Sequence, residues 1–373
     1  MKIGISCYPT WGGSGVVATE LAMALAAGGD EVHVISYARP TRLEITNPRL
    51  SYHEVIVPHY PLFEYPPYSL ALATKIVELA RHQDLDLIHV HYAVPNAVSA
   101  VLAREILAPQ PLKVVTTLHG TDITLVGNDP SYLETTRFGI ARSDAVTAVS
   151  QALKESTREK LGIENSIDVI PNFIEPQRYE RVKNRPGGHR WVREGEKVIV
   201  HISNFRPVKR VMDVVAIFHK IYQEIPQSHL VLVGDGPDRA KAEQYCRDTG
   251  ICGALTFVGS MPAVEEVLAG ADLLLLPSET ESFGLAALEA LSCEVPVIAT
   301  AVGGIPEVVR HGVMGYLHPV GAVEEMAKSA IQLLNNNELL HRFGKEGRRW
   351  ALEQFNQDRI VAQYREIYQR VLA

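Results

Sequence analysis

The amino-acid sequence predicts an α/β protein built from two doubly wound, Rossmann-like domains. Three observations predict this fold class: the length of the chain, two sets of short apolar runs, and a polar stretch between the sets. A chain of 373 residues is longer than one hydrophobic core usually supports. Continuous Val, Ile and Leu runs that alternate with helical stretches are typical of parallel sheets with helices on both faces. We therefore expect two such domains, facing each other across a cleft at the carboxyl ends of their strands.

The apolar runs predict eleven strands. Those of the first half of the chain are Ile3–Cys7, Val32–Ser36, Leu87–His91, Val114–Leu118, Ala145–Val149 and Ile167–Ile170. Those of the second half are Val198–Ile202, Leu230–Val233, Leu255–Val258, Leu273–Leu276 and Val295–Ala299. Short runs without polar alternation are expected where a strand is buried on both faces.

The predicted domain boundaries follow from the two sets of strands. Residues 1–170 form the N-terminal domain, and residues 198–355 form the C-terminal domain. Residues 171–197 are rich in Pro, Gly, Arg and Glu and are the predicted linker. The last segment, residues 356–373, begins with Asn356, a favourable helix cap, and has apolar residues at helical spacing. We expect it to form a helix that packs back on the N-terminal domain.

Composition limits the classes of function. A hydrophobic fraction of 46% and a charged fraction of 21% are typical of a globular enzyme. The net charge of −7 argues against general nucleic-acid binding, and no apolar run approaches the ~20 residues that cross a bilayer. The N-terminus shows no signal-peptide pattern, and the four cysteines show neither CxxC spacing nor disulfide density. We expect reduced thiols, a cytoplasmic location and a homo-oligomer.

The segment from Glu281 to Glu289 places two carboxylates across a predicted junction between a loop and a helix. The strong helix formers at 286–291 predict that Glu289 lies about two turns inside the helix. Eight helical residues span about 12 Å, more than the ~5–9.5 Å between the paired carboxylates of a glycosidase. That length matches a nucleotide sugar, whose diphosphate would face the helix N-terminus. The alternative is a surface helix with two solvated acids.

Two basic residues, Arg206 and Lys209, follow the first strand of the second half. A doubly wound domain binds its ligand at the carboxyl ends of such strands. The guanidinium of Arg and the point charge of Lys suit a diphosphate. A solvated basic loop is the alternative, which the acidic segment in the same half of the chain makes less favourable.

The loop Trp11-Gly12-Gly13-Ser14-Gly15 follows the first strand and opens a helix. Glycines at this place let the backbone approach a phosphate or a sugar closely. They also fit a loose dinucleotide fingerprint, which requires an acidic residue at the end of the second strand. The chain has Ser36-Tyr37-Ala38-Arg39 there, so NAD binding is disfavoured. A purely structural tight turn is the remaining alternative.

A histidine, His119, follows the strand that ends at Leu118, where its ring can hydrogen-bond a sugar hydroxyl. One His beside Asp122 is not a metal site, so we predict no metal and no cofactor. We place His89 and His91 on opposite faces of their strand, where they cannot chelate one metal, and interpret both as structural.

In combination, these motifs resemble the retaining GT-B glycosyltransferases of family 4, and the likeness runs nearly end to end. The segments that carry it are Glu281–Glu289, Arg206–Lys209, Gly12–Gly15 and Gly303–Glu307. Five segments are similar, more narrowly, to members that transfer N-acetylglucosamine from UDP-N-acetylglucosamine to L-malate in the first step of bacillithiol biosynthesis. They are Cys7–Gly15, Tyr65–Tyr68, His91–Pro95, Thr116–Thr124 and Ser203–Arg210.

The resemblance implies three groups of site residues. The donor-binding group is Gly12, Gly13, Arg206, Lys209, Glu281, Phe283, Gly284, Leu285 and Glu289. The acceptor-binding group, in the N-terminal half, is Ser14, Tyr92, Thr117 and Arg137. The group with a role in catalysis is His119, Arg206, Lys209 and Glu281.

The resemblance also implies a role for the chief residues. Glu289 would hold the ribose, and Glu281 would hold hydroxyls of the transferred sugar. Arg206 and Lys209 would neutralise the diphosphate, and His119 would contact the sugar near its 6-hydroxyl.

At one position the chain departs from the family pattern. Asn204 stands where the family often has its Arg, so Arg206 must reach from two residues further along. No carboxylate is placed as a nucleophile, so we expect front-side attack, with the departing phosphate accepting the proton. The alternatives are a family 4 enzyme with another small acceptor, a hydrolysing sugar-nucleotide epimerase, and a non-catalytic sugar-nucleotide sensor.

Overall fold

Two parallel β-sheets organise the chain, one in each of two structural units. The structure, a computed structural model, describes residues 1–10, 12–127, 129–182 and 191–373. Trp11 of the predicted glycine-rich loop and residues 183–190 of the predicted linker lie outside the described residues. The first unit comprises Met1–Asn172 together with Asp358–Ala373, and the second unit comprises Phe173–Gln357.

The strands divide between the two units. The first sheet contains β1 (Lys2–Ser6), β2 (Glu31–Ser36), β3 (Leu50–Glu54), β4 (Leu87–His91), β5 (Lys113–Leu118), β6 (Ala145–Ala148) and β7 (Ile167–Val169). The second sheet contains β8 (Lys197–Ile202), β9 (Ser228–Val233), β10 (Leu255–Gly259), β11 (Leu273–Leu276), β12 (Val297–Thr300) and β13 (Gly315–His318).

Helices connect the strands of each sheet. In the N-terminal part they are α1 (Gly13–Ala27), α2 (Tyr68–Gln83), α3 (Val98–Leu107), α4 (Leu133–Ala141) and α5 (Gln151–Leu161). The remaining helices are α6 (Val211–Glu224), α7 (Arg239–Thr249), α8 (Glu265–Leu268), α9 (Leu285–Ser292), α10 (Ile305–Val308), α11 (Val323–Leu334), α12 (Asn337–Gln354) and α13 (Gln357–Leu372). No helix among the described residues is long and apolar enough to cross a membrane.

The two sheets have the same strand order around their first strand. The orders are β3-β2-β1-β4-β5-β6-β7 and β10-β9-β8-β11-β12-β13, and every pairing within them is parallel. In each sheet the chain changes its winding direction next to the first strand, between β1 and β4 or between β8 and β11. Ligands of doubly wound folds bind outside the carboxyl ends of the strands at such a point. The predicted fold class is therefore confirmed.

Local sequence signals explain the ends of several helices. Helix α5 begins after Ser150, whose hydroxyl accepts a hydrogen bond from the amide of Leu153 at 3.0 Å. It ends at Gly162, which has a φ of 60° and adopts the left-handed conformation of a helix C-cap. Helix α12 begins in the same way, with the side chain of Asn336 accepting from the amide of Leu339 at 3.0 Å. These caps satisfy amides and carbonyls that have no partner inside a helix.

All eleven predicted strands are present, with ends within two residues of those predicted. Two strands were not predicted, β3 and β13, and each lies at the edge of its sheet. Their sequences, Leu50-Ser51-Tyr52-His53-Glu54 and Gly315-Tyr316-Leu317-His318, mix polar and apolar residues. Because an edge strand is only partly covered, it lacks the continuous apolar run that identifies a central strand.

The C-terminal helix belongs to the first unit from Asp358 onward. Its apolar stripe is buried: Ile360, Val361, Tyr364, Ile367, Tyr368 and Val371. Arg365 forms a salt bridge of 2.8 Å with Asp30, and the Tyr368 hydroxyl lies 2.7 Å from Nδ1 of His89. Residues 173–182 of the predicted linker, in contrast, are assigned to the second unit, where Arg178 pairs with Glu265 at 2.8 Å.

The expectation of reduced thiols was wrong for two of the four cysteines. Cys246 and Cys252 form a disulfide bond with their Cα atoms 4.9 Å apart. Helix α7 ends between them and the chain turns back, so residues six positions apart become neighbours without a CxxC motif. Cys7 and Cys293 are free and buried, and burial raises the pKa of each thiol to about 12. Both therefore behave as small apolar side chains.

Candidate functional site

The second unit brings a lysine and a glutamate together at the carboxyl ends of its neighbouring strands β8 and β11. Nζ of Lys209 lies 2.5 Å from Oε1 of Glu281. The hydroxyl of Ser278 donates to the same oxygen at 2.8 Å. The Lys209 and Glu281 side chains are 21% and 12% exposed, so the pair retains contact with solvent. Oε2 of Glu281 has no hydrogen-bond partner among the described residues and is free to accept from a ligand hydroxyl.

The loop that carries Lys209 is held by a buried histidine at the end of β8. Nε2 of His201 lies 2.8 Å from the hydroxyl of Ser203, and this hydroxyl accepts a hydrogen bond from the amide of Phe205 at 3.2 Å. The other ring nitrogen of His201 lies 2.9 Å from the carbonyl of Leu275 on β11. Burial lowers the pKa of His201 to about 4, so the ring is neutral at pH 7. One ring thus ties the loop after β8 to strand β11.

Two glycines with positive φ allow other loops to pack against these segments. A Cβ on Gly303, which has a φ of 52°, would lie 1.8 Å from the carbonyl oxygen of Glu281. A Cβ on Gly234, which has a φ of 119°, would lie 1.7 Å from the carbonyl oxygen of Ser203. Both positions therefore require glycine, for conformation and for space.

The N-terminus of α9 follows Glu281 by four residues. Its cap, Gly284, has a φ of 94°, and Leu285 is the first helical residue. The first amides of a helix have no partner inside the helix and carry a partial positive charge, so they suit an anion. Phe283, just before the cap, is buried and packs edge-on against Phe355 with ring centroids 5.7 Å apart.

The second predicted carboxylate, Glu289, lies inside α9 and is 5% exposed. Oε1 of Glu289 accepts a hydrogen bond from the hydroxyl of Tyr179 at 2.6 Å. The alternative of two solvated acids on a surface helix is therefore wrong, because both carboxylates are largely buried and hydrogen-bonded.

Arg206 is exposed, and its guanidinium has no hydrogen-bond partner among the described residues.

The first unit has a row of aromatic rings at the carboxyl ends of β1, β4 and β5. Tyr92 contacts Tyr8 edge-on with ring centroids 5.3 Å apart, and it stacks on His119 at 5.5 Å. His119 stacks in turn on His91 at 5.1 Å. Tyr92 has a φ of 81°, a conformation that non-glycine residues adopt at a cost and that is common at functional sites.

A buried carboxylate shapes the loop around His119. Asp122 is 0% exposed, and its oxygens accept hydrogen bonds from the amides of His119, Gly120 and Ala93 at 3.2, 2.8 and 3.2 Å. These donors come from the loops after β4 and β5, so one side chain joins both loops.

Burial shifts the pKa values of the ionisable groups in this loop. Burial raises the pKa of Asp122 from 3.8 to about 6, against the opposing effect of the amide hydrogen bonds. The folded state therefore binds more protons between these values, and the stability contributed by Asp122 falls as the pH rises through that window. Burial lowers the pKa of His119 to about 3, so this ring is neutral at pH 7. The first unit presents an uncharged imidazole.

The structure brings together some, but not all, of the predicted acceptor residues. Tyr92 lies beside His119, and its amide donates to the carbonyl of Thr117 at 3.0 Å. The hydroxyl of Thr117, however, is buried between Nε2 of His89 and the hydroxyl of Thr147, at 2.7 Å from each. The hydrogen bonds of Arg137 go to Glu134 and to the carbonyl of Leu161, outside this group.

The glycine-rich loop lies next to the same row of rings. A Cβ on Gly15 would lie 2.7 Å from the carbonyl oxygen of Tyr8, so the start of α1 packs closely on the loop after β1. Gly12 caps α1, Gly13 is its first residue, and both are exposed. Ser14 follows on the first turn of the helix and is partly exposed.

The prediction that His89 and His91 point to opposite faces of β4 was wrong. Residues two positions apart in a strand point to the same face, and the two ring centroids lie 4.5 Å apart. Both side chains are 0% exposed. Within the described residues, no group of three or more His, Cys, Asp or Glu side chains could hold a metal ion.

Several residues of the two groups were not predicted. Ser278, Tyr179 and His201 bind predicted residues or their loops in the second unit. His91 and Asp122 do so in the first unit. The position of Ser278, two residues after the end of the buried strand β11, was a usable signal. Tyr179 lies 110 residues from Glu289, and nothing in the sequence connects the two.

Comparisons with known proteins define the class of protein. Residues 11–178 match the family model described as Glycosyltransferase Family 4. Residues 190–350 match the family model described as Glycosyl transferases group 1. The second matched segment contains the group around Lys209 and Glu281, and the first contains the group around Tyr92 and His119. Each group lies at the carboxyl ends of its strands.

A particular relative covers the whole chain. The N-acetyl-alpha-D-glucosaminyl L-malate synthase of Bacillus anthracis is 48% identical over 373 residues, which is 100% of this chain and 97% of the relative. The chain therefore belongs to the family 4 glycosyltransferases.

Solved structures agree with the GT-B fold. Anabaena HepE, in complex with UDP-glucose, superposes with a TM-score of 0.83 at 23% identity and covers 99% of this chain and 100% of its own. Sucrose-phosphate synthase from Thermosynechococcus elongatus superposes with a TM-score of 0.81 at 21% identity, covering 100% and 99%. At these identities the likeness concerns the fold.

Replacement of Gly303 tests the packing around Glu281. In Gly303→Ala the added methyl group would overlap the carbonyl of Glu281, so the loop must move. We expect this variant to lose about 3 kcal/mol or more of unfolding free energy in urea, followed by circular dichroism. The matched control is Gly250→Ala, which has a φ of 72° and no atom within 4 Å of the added Cβ. It should lose only about 1–2 kcal/mol, the cost of the backbone conformation. Equal losses in the two variants would contradict the close packing at Gly303.

Proposed function

We propose that this protein transfers N-acetylglucosamine from UDP-N-acetylglucosamine to the hydroxyl group of L-malate, with retention of configuration at the anomeric carbon. The observation that carries the proposal is the 48% identity, over the full chain, to the relative named N-acetyl-alpha-D-glucosaminyl L-malate synthase. The paired Lys209 and Glu281 beside the start of α9 support it, because they offer the charges that a nucleotide sugar requires. The reaction would be the first step of bacillithiol biosynthesis, in the cytoplasm.

In this proposal the second unit binds the donor. Lys209, Arg206 and the N-terminus of α9 neutralise the diphosphate, since each supplies positive charge or unpaired N–H donors. Glu281 uses Oε1 for Lys209 and Ser278, and Oε2 accepts from a hydroxyl of the transferred sugar. Glu289 accepts from the ribose in addition to Tyr179.

The pairing of Lys209 with Glu281 has a chemical consequence. The carboxylate orients the ammonium group of Lys209, which has two further N–H bonds for phosphate oxygens. Because the site is partly buried, the effect of this charge on the leaving group is larger than it would be in water. The same pair therefore contacts the sugar and its leaving group.

The first unit would bind the acceptor and the sugar. L-Malate carries two carboxylates, which hydroxyl groups, amides and a guanidinium can bind. Tyr92, which stacks on His119, the partly exposed Ser14 and the exposed Gly12–Gly13 backbone would supply such groups. Thr117 and Arg137, which are engaged elsewhere, would have to exchange their hydrogen bonds to take part. His119 would contact the transferred sugar.

The proposed reaction proceeds by front-side attack. The bond from the anomeric carbon to the β-phosphate oxygen breaks, and a bond from that carbon to the malate hydroxyl oxygen forms on the same face. The hydroxyl proton passes to the departing phosphate oxygen, and UDP leaves. Catalysis then consists of positioning and of stabilising charge on the leaving diphosphate.

The proposed function is tested by measuring the release of UDP with a panel of acceptors. We expect release from UDP-N-acetylglucosamine to depend on L-malate, and the product to show the α-anomeric coupling by proton NMR. Release without any acceptor would favour a hydrolysing epimerase, and release with a different acceptor would favour another family 4 enzyme. Donor binding without release in any mixture would indicate a sensor. Each of these three outcomes would overturn the proposal.

Replacement of Lys209 tests the stabilisation of the leaving diphosphate. Lys209→Met keeps an unbranched stem but removes the charge, so we expect kcat to fall about 100-fold with the fold intact. The matched control is Lys241→Met, because Lys241 is also ion-paired, to Asp238 at 2.7 Å, but is 67% exposed. Its kcat should stay close to that of the unchanged protein. Equal kcat values for the two variants would refute the role of Lys209.

We also propose that the reaction needs no divalent metal, because Lys209, Arg206 and the N-terminus of α9 supply the positive charge. The rate with excess EDTA should equal the rate without it, and adding Mg²⁺ back should change nothing. A large loss in EDTA that Mg²⁺ restores would contradict this part of the proposal.

A further inference from the structure

The contact between two histidines of the first unit limits how His119 can meet a ligand. Nε2 of His119 lies 2.8 Å from Nδ1 of His91, and the two rings are stacked with an interplanar angle of 26°. Nδ1 of His119 has no hydrogen-bond partner among the described residues, and the side chain is partly exposed. A ligand of His119 therefore meets Nδ1.

The proton between the two rings can come from either side. Burial lowers the pKa of both rings far below 7, so each is neutral and carries one proton. In one arrangement Nδ1–H of His91 donates to His119, which then carries its own proton on Nδ1. In the other arrangement Nε2–H of His119 donates to His91, which then carries its own proton on Nε2. The two arrangements present opposite hydrogen-bonding character to the ligand.

The surroundings of His91 distinguish the two arrangements. Its Nε2 is buried and has no hydrogen-bond partner among the described residues. In the second arrangement this atom would be a buried N–H group without an acceptor, which proteins rarely tolerate. In the first arrangement it is an unprotonated nitrogen, and no donor group is left unpaired. The first arrangement is favoured.

A third ring holds His91 in place. The ring centroids of His89 and His91 lie 4.5 Å apart. Both ring nitrogens of His89 have hydrogen-bond partners at 2.7 Å: Nδ1 meets the hydroxyl of Tyr368, and Nε2 meets the hydroxyl of Thr117. The His89 ring is thus fixed by α13 and β5, and His91 is confined between His89 and His119. This confinement keeps Nδ1 of His91 directed at His119.

We propose that His91 is a positioning residue that selects the tautomer of His119, so that His119 presents Nδ1–H as a neutral donor to the transferred sugar. The identity of that ligand rests on the proposed function, whereas the tautomer does not. A donor at this place can bind the oxygen of a sugar hydroxyl and stabilise negative charge that develops during transfer. A lone pair could only accept a hydrogen bond from the hydroxyl group and would not stabilise negative charge.

Nitrogen NMR of the unmodified protein tests the tautomer directly. Protein labelled with ¹⁵N-histidine gives well separated signals for ring nitrogens with and without a proton, and the His119 signals are those absent from His119→Asn. We expect a protonated Nδ1 and an unprotonated Nε2 in His119. The reverse pattern, or an even mixture, would overturn the proposal. This measurement is independent of catalytic activity, so it still decides the role of His91 if no transfer to malate is found.

Two variants of His91 test its effect on the reaction. His91→Leu removes the donor, and we expect kcat to fall about ten-fold with KM for the donor nearly unchanged. His91→Asn places an amide N–H close to the former Nδ1–H, and should recover most of this loss and keep the His119 signals. If Asn and Leu lower kcat equally, the hydrogen bond is not the cause.

A double-mutant cycle with His119 separates positioning from a general structural role. If His91 acts through His119, His91→Leu should cause no further loss in a protein that already carries His119→Ala. Losses that multiply would show that His91 acts independently and would refute the proposal. Binding of UDP to each variant, measured by calorimetry, confirms that the second unit is intact.

Discussion

Both groups of candidate site residues depend on one constraint of parallel sheets: the carboxyl ends of all strands lie at the same edge, and the winding direction reverses beside the first strand. In the second unit this reversal places the loops after β8 and β11 side by side. Lys209 and Glu281 are 72 residues apart in the chain, yet their charged atoms lie 2.5 Å apart. In the first unit the same arrangement of β1, β4 and β5 brings Tyr8, Tyr92 and His119 into one row.

The group around Lys209 in the second unit contains charged side chains, whereas the histidines of the first unit are neutral. Different degrees of burial explain this difference. In the second unit the ammonium group of Lys209 is paired with the carboxylate of Glu281, and both side chains retain contact with solvent. In the first unit, burial removes the charge from His89, His91 and His119 by lowering the pKa of each ring. In the proposed reaction this division is useful. A cation stabilises the departing diphosphate, and neutral rings orient the sugar without adding a competing charge.

The sequence predicted the central strands well because a strand buried on both faces needs an unbroken apolar run, as in Leu273–Leu276. It missed β3 and β13, whose exposed edges tolerate polar residues. The residue types of Lys209, Glu281 and His119, each just after a strand, were sufficient to propose them as site residues. The partners Ser278, Tyr179 and His91 were missed, because their roles depend on contacts with segments that the sequence does not connect. The error over His89 and His91 was of a different kind, since the period of a strand places both on one face.

By itself, the sequence determined the fold class, the charged residues of the candidate site and the loops in which they lie. These features follow from apolar periodicity and turn residues, which act over a few neighbouring positions. Only the tertiary structure decided that Lys209 pairs with Glu281, that the hydroxyl of Thr117 faces inward, and that Cys246 bonds to Cys252. It also decided which nitrogen of His119 remains open to a ligand. Hydrogen bonds and ion pairs require atoms to meet within about 3 Å in a defined direction. Such distances depend on the packing of residues far apart in the chain, which no local pattern specifies.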